Sequence, residues 1–224
     1  GEAGSSAVTL PGTAGNYVSV PDSAALSIVG SIDVRVCYSM ADVTPATKAT
    51  LVAKWTHTLQ HSYALDIETD GRPTFYWSTT GADLVSSTAT VAPTVANDAL
   101  IWLRATLDTT TGDVKFYTGN PATPSPNAES YTQLGATVAG SATSIFDSTS
   151  LLYVGGYNDA GTIPSQGWAG NVRRVQVRSG IDGTLVFDAR FDGVEIVGTR
   201  DPASFTAETG QTVTLNGAAW DWVA

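Results

Sequence analysis

Along the segment SIDVRVCYSM, residues 31 to 40, Ile32, Val34, Val36, Tyr38 and Met40 alternate with Ser31, Asp33, Arg35, Cys37 and Ser39. A period of two sets one face of a strand against a core and turns the other outward. The segment LVFDARFD repeats the pattern, with Leu185, Phe187, Ala189 and Phe191 opposite Val186, Asp188, Arg190 and Asp192. Shorter runs predict further strands at Asn16–Val20, Leu51–Trp55, Tyr63–Thr69, Thr74–Thr79, Ile101–Asp108, Val114–Thr118, Tyr131–Val138, Leu151–Gly155, Val172–Arg178 and Gln211–Leu215. Asp70-Gly71, Thr111-Gly112-Asp113 and Asp182-Gly183 supply turn chemistry between them. No window keeps a helical apolar stripe. Roughly a dozen short, closely spaced strands predict an all-β fold, a sandwich or jelly roll of two antiparallel sheets.

Within this plan WLRATLDTTTGDVKFYTG, residues 102 to 119, reads as a hairpin near the middle of the sandwich. Leu103, Ala105 and Leu107 share one face, 109 to 113 turn the chain, and Val114 and Phe116 return beside them; Trp102 and Phe116 are assigned to the core. GNPATPSPNAE, residues 119 to 129, is too rich in Pro, Asn and Ser for a central strand and reads as an exposed loop. No internal repeat or linker divides the chain, so residues 1–224 are expected to form a single domain.

Hydrophobic residues make up 42% of the 224 and charged residues 14%, a globular balance whose surface is covered largely by Ser, Thr, Gly and Asn. A net charge of −10 argues against a nucleic-acid partner, which calls for clustered Lys and Arg. The longest apolar run, Ala99 to Leu103, is far below the roughly 18 residues that span a bilayer, so no membrane insertion is expected. Cys37 is the only cysteine; it rules out an intrachain disulfide and reads as a small semi-buried residue rather than a reactive thiol. A start at Gly1 suggests a processed protein or an excised domain.

The order of segments carries a resemblance. LPGTAGNYVSVPDSAALSIVGSIDVRVCYSM, TLVAKW, SYALDI, WLRATLDTTTGDVKFYTG and LYVGGYNDAGTIPSQGWAGNVRRVQV follow one another as they do in laminin-G-like, concanavalin A-like jelly-roll domains, over roughly Leu10 to Phe191. LPGTAGNYVSVPDSAAL, WLRATLDTTTG, SIFDSTSLLYVGG and VRSGIDGTLVFDARFD look more narrowly like such domains in minor tail and other virion proteins of phages that infect actinobacteria. The resemblance implies a non-catalytic glycan-binding or adhesion module of a virion, tail-associated, with host cell-envelope glycan and other virion proteins as partners. A purely structural or decorating virion protein is the alternative, and a laminarinase-like glycosidase a second.

The enzyme reading rests on LDIETDG, where Asp66, Glu68 and Asp70 would share one strand face with neighbours about 6.6 Å apart. Laminarinase-type glucanases carry Glu-x-Asp-x-Glu there; both terminal Glu are Asp in this chain, and Asp70 belongs to an Asp-Gly turn, so no catalytic residues are assigned. His57 and His61 flank the loop HTLQH, which lacks the helix that an i, i+4 pair needs to hold zinc; they read as exposed loop histidines, some of them near a ligand. Calcium is common in the superfamily, and Asn158 with Asp159, or Asp188 with Asp192, are candidate ligands, although no cofactor is required. Arg173, Arg174 and Arg178 read as a solvated, ion-paired strand face. Sugar binding needs flat aromatic faces and planar polar groups. Among six Trp and eight Tyr, the expected site is the loop GGYNDAGTIPSQGW, with Tyr157, Asn158, Asp159, Gln166 and Trp168, joined by Trp55 and Tyr76.

Overall fold

Val34 and Val36 are wholly inaccessible, and so are Asp33 and Cys37 on the alternate register, so the long alternating strand is buried on both faces. The computed structural model that shows this describes residues 7–57, 59–122, 130–192, 203–217 and 221–223. The first half of the chain forms β1 (Ala7–Pro11), β2 (Tyr17–Val20), β3 (Ile32–Met40), β4 (Ala49–Thr56), β5 (Gln60–Ile67), β6 (Pro73–Trp77), β7 (Val85–Thr88), β8 (Ile101–Asp108) and β9 (Asp113–Gly119). The second half forms β10 (Tyr131–Gln133), β11 (Leu152–Val154), β12 (Tyr157–Asp159), β13 (Thr162–Ser165), β14 (Ala169–Ser179), β15 (Thr184–Arg190), β16 (Ala203–Thr206), β17 (Thr212–Asn216) and β18 (Asp221–Val223).

Two antiparallel sheets result. The first runs β10-β9-β8-β3-β14-β1-β18, with β15 also paired to β14; the second runs β16-β17-β2-β11-β4-β5-β6-β7. The hairpin β12–β13 joins the second through one parallel bridge, Asn158 to Thr56. Between the sheets Ile32, Val34, Val36, Tyr38 and Met40 meet Leu103, Ala105, Leu107, Val114 and Phe116 of their own sheet and Leu51, Val52, Tyr63, Leu65, Phe75 and Trp77 of the other. The interior is the product of the predicted alternation.

Several expectations change. The strand expected over Tyr131–Val138 holds only to Gln133, with one further bridge between Val114 and Val138. The hairpin of β8 and β9 lies toward one edge of its sheet, with only β10 beyond it. A bulge between Val177 and Arg178 shifts β15, so Leu185 is half-buried and Val186 packs against the core instead. Trp102 is buried but lies outside the core cluster; it pairs with Cys37 across β3 and meets Tyr131 edge-on at 6.5 Å, on the outer face. Residues 123–129 of the expected loop lie outside the described residues.

That outer face is filled rather than solvated. Asp33 accepts two hydrogen bonds from Arg35 (3.0 and 2.7 Å), two from Arg104 (3.1 and 2.8 Å) and one from the backbone N–H of Asp182 at 3.0 Å. Tyr131 lies over both guanidinium groups at 5.5 and 5.6 Å, and Tyr117 over Arg104 at 4.8 Å. Arg174 grips Asp188 at 2.8 and 2.6 Å, and Arg173 binds the Pro121 carbonyl at 2.9 Å and Asp192 at 3.5 Å. Arg173 and Arg174 are therefore ion-paired, as expected, but Arg178 donates instead to the Gly183 carbonyl at 3.0 Å, and the three are buried or half-buried rather than solvated. Cys37 sits among these groups with its thiol pushed up to about 12 by burial.

Burial pushes the Asp33 carboxyl up, but the hydrogen bonds of Arg35 and Arg104 outweigh it and hold the group below its usual range. The stabilisation is thus present above the ordinary carboxylate pKa and is lost as pH falls through the lowered one. Asp33→Asn leaves two buried guanidinium groups short of charge, and denaturant unfolding at pH 7 should show a loss of about 3–5 kcal/mol. A loss below about 1 kcal/mol, the size of a surface pair, would mean the network contributes little.

Candidate ligand-binding groove

On the second sheet the outward positions of three neighbouring strands line up in rows. Ala53 of β4 faces Ala64 of β5, which faces Tyr76 of β6; one step along, Thr50 faces Asp66, which faces Thr74. Two alanines between larger residues leave a trough, and the hairpin β12–β13 forms a wall over it. The resulting groove of about 230 Å³ is lined by Lys48, Thr50, Trp55, His57, His61, Ala64, Asp66, Tyr76, Leu84, Tyr157 and Gln166. Typical small-molecule sites enclose about 300–1,000 Å³, so only part of an oligosaccharide would be enclosed.

Trp55 and His61 stack at 4.1 Å and 8°, closing one end. Both His61 nitrogens are buried without a hydrogen-bond partner, and burial followed by His57 holds the imidazole pKa below its usual value. Tyr76 and Tyr157 are half-buried and supply the open aromatic surface. Thr50 donates to Gln166 Oε1 at 3.0 Å, and the backbone N–H of Thr50 binds the Gln166 carbonyl at 3.0 Å, so the hairpin is tied to β4.

The floor carries an ionisable pair. Asp66 is 3% exposed, its Oδ2 lies 3.7 Å from Lys48 Nζ, and its Oδ1 has no hydrogen-bond partner. Burial raises its carboxyl to about 7; Lys48 and the Thr50 hydroxyl hold it lower than burial alone would, and Glu68 pushes it up. Lys48 also donates to the Tyr76 hydroxyl at 3.3 Å and lies 4.4 Å from the ring centre, while that hydroxyl donates to Glu68 at 2.8 Å.

Of the residues expected at a site, Trp55, Tyr76, Tyr157 and Gln166 line the groove together. Asn158 and Asp159 border it. The Asn158 side chain accepts from the Gly161 N–H at 2.9 Å and shapes the β12–β13 turn, and Asp159 stands 3.3 Å from His57 Nδ1. Trp168 is a correction: it is 4% exposed, belongs to the main core, meets Tyr38 edge-on and donates to the Thr50 carbonyl at 2.9 Å, leaving no face for a ligand. His57 is exposed, as expected, whereas His61 lies in β5 and is half-buried; both line the groove.

The three carboxylates of LDIETDG do not converge. Asp66 faces the groove, Glu68 is engaged by Tyr76, and Asp70 pairs with Arg72 at 2.7 Å in the turn. The calcium pairs are likewise engaged, Asp188 by Arg174 and Asp192 by Arg173 and Arg190. Among the described residues no three His, Cys, Asp or Glu side chains are placed to share a metal. Lys48 and Thr50 were not anticipated from sequence, since a lysine and a threonine in a loop-to-strand passage carry no signal until β5 is paired beside them.

No protein-family model and no curated protein sequence matches the chain. Solved structures match in fold. The chain is similar to the Ruminococcus gnavus IT-sialidase CBM40 bound to α2,3-sialyllactose, with 14% identity, 75% of this chain and 88% of that one covered, and a TM-score of 0.55. It is similar to domains LG4-5 of the mouse laminin α1 chain at 16% identity, covering 86% of this chain and 47% of that one, with a TM-score of 0.53. The native heptameric SAP-like pentraxin of Limulus polyphemus follows at 12% identity, 94% of each chain and a TM-score of 0.50. Together with the sheet order, these likenesses define a concanavalin A-like jelly roll.

A carboxyl raised from the ordinary range to about 7 contributes its stability fully below about pH 4 and loses it as pH rises through 7. Asp66→Asn removes that loss. Its melting temperature should exceed the parent's at pH 8 by an amount on the order of a few kcal/mol of stability, with the difference gone by pH 4. A variant less stable than the parent at pH 8 would make Asp66 a structural ion-pair partner instead.

Proposed function

We propose that the chain is a non-catalytic glycan-binding module working through the groove between β4, β5, β6 and the β12–β13 hairpin. The observation that carries this reading is the juxtaposition, in one groove, of aromatic rings with an unpaired buried carboxylate oxygen and an amide. A pyranose presents an apolar face to the rings and hydroxyls to the polar groups. The domains of like fold whose names record a bound sugar support the same reading, as sialyllactose does for the CBM40 structure. The resemblance of the sequence to virion domains supports a position at a phage tail, with host cell-envelope glycan as the ligand. Sugars are well hydrated and a single groove of this size binds weakly, so adhesion would rest on many copies acting together.

Tyr157 is the residue to remove, because it is half-buried on the hairpin wall and its loss spares the core. Losing a central aromatic anchor typically costs about 2 kcal/mol or more, roughly thirtyfold in affinity. Host-envelope pulldown or a glycan array should show that drop in Tyr157→Ala with the near-ultraviolet circular dichroism retained. Equal binding by parent and variant would remove the groove as the site. The same preparations should release no reducing sugar from β-glucans or cell-wall polysaccharide; a rate that disappears in Asp66→Asn would revive the glycosidase reading.

A further inference from the structure

Charge in the groove is arranged in a way that bears on which sugars it takes, given the glycan-binding reading on which this inference rests. Lys48 is the single lysine among the described lining residues, and no arginine joins it. Its ammonium is already engaged by Asp66 at 3.7 Å, by the Tyr76 hydroxyl at 3.3 Å and by the Tyr76 ring at 4.4 Å. On the first sheet Arg35, Arg104, Arg173, Arg174 and Arg190 are spent on Asp33, Asp182, Asp188 and Asp192, Arg178 donates to the Gly183 carbonyl at 3.0 Å, and Arg72 is spent on Asp70. A ligand carboxylate entering the groove therefore meets no uncommitted cation. It meets instead the Asp66 carboxylate in the floor, with Glu68 behind Tyr76 and Asp159 at the rim, in a chain of net charge −10.

What the floor does offer is an acceptor. Asp66 Oδ1 is buried and has no hydrogen-bond partner, and its residue lines a space flanked by aromatic rings. A carboxylate oxygen accepts from hydroxyls, and hydrogen bonds to a charged acceptor are roughly twice as strong as neutral ones. Lys48 then acts as an internal counter-ion that favours the ionised carboxylate, the form that dominates above about pH 7, while its ammonium is shared with Asp66 and Tyr76. We infer that the groove selects uncharged sugars, with Asp66 Oδ1 accepting ring hydroxyls, and rejects sugars that carry a carboxylate.

The test is a panel of paired probes on the whole chain at pH 8 by calorimetry or array: lactose against sialyllactose, and glucose-terminated against glucuronate-terminated oligosaccharides. Each neutral member should bind at least about tenfold tighter than its acidic counterpart, since apposed like charges are strongly disfavoured. Asp66→Asn, with its fold verified, should weaken neutral binding about tenfold or more. It should also narrow the gap to the acidic sugars, because Lys48 is then released. Preference for the acidic member of either pair would overturn the inference. If that preference is abolished by Tyr157→Ala, the groove remains a glycan site and only its selectivity has been misjudged. Binding to no probe and to no host envelope overturns the inference and the glycan reading together.

Discussion

Trp168 stands where the two sheets and the groove wall meet. Its ring packs edge-on against Tyr38 of β3, and its indole N–H donates to the Thr50 carbonyl of β4, so one side chain ties the first sheet to the second. Two residues before it, Gln166 is bonded to Thr50 through backbone and side chain alike. The wall that carries Tyr157 hangs from this pin. Space for the indole is made by backbone without side chains: a Cβ on Gly170 would come within 2.7 Å of the ring, and Gly12, at a φ of +70°, would carry its own within 2.8 Å of the Trp168 backbone. Aromatic burial and a satisfied N–H thus fix the position of a surface feature.

The two outer faces then differ in how they are covered. On the first sheet Tyr131 Oη, Arg173 Nε, Gln176 Oε1 and Arg178 Nε have no hydrogen-bond partner, while Asp33 receives two forked guanidinium groups and aromatic rings close over them. Such pairing contributes specificity of register more than net stability, because desolvation offsets much of the attraction. On the second sheet the small side chains of Ala53 and Ala64 leave room, and an acceptor and an imidazole are left unpaired beside it. Buried polar groups without partners are uncommon in a settled interior and concentrate where a ligand completes them.

Alternation was enough to place the interior: Ile32 to Met40 and Leu103 to Phe116 reach the core from the side chain period alone. It was blind to what covers the other face. The polar register of β3 looks identical on paper whether Asp33 meets water or two arginines, one of them on β8 with 71 residues of sequence separation. The groove was legible in its aromatic half, where Trp55, Tyr76, Tyr157 and Gln166 stand out as rings and planar amides near strand ends. Of its polar half only Asp66 stood out, as a strand carboxylate, because Lys48 and Thr50 become its neighbours only through the pairing of β4 with β5 and the packing of the chain that precedes it. Trp168 misled for a related reason: a tryptophan closing a glycine-rich hairpin has the same local sequence whether it points out to a ligand or in to Tyr38.

The lone thiol of Cys37 has a consequence for how the molecule can be observed. It lies in the middle of β3, inaccessible to solvent and held in its protonated, unreactive form by burial. Since the thiolate is the nucleophile, alkylating reagents reach it only when β3 separates from β8 or β14 or the layer above it lifts away. The chain therefore carries a built-in chemical clock. Its labelling rate in native buffer counts openings of the central strand one molecule at a time, while the groove on the opposite sheet, free of cysteine, stays unmarked.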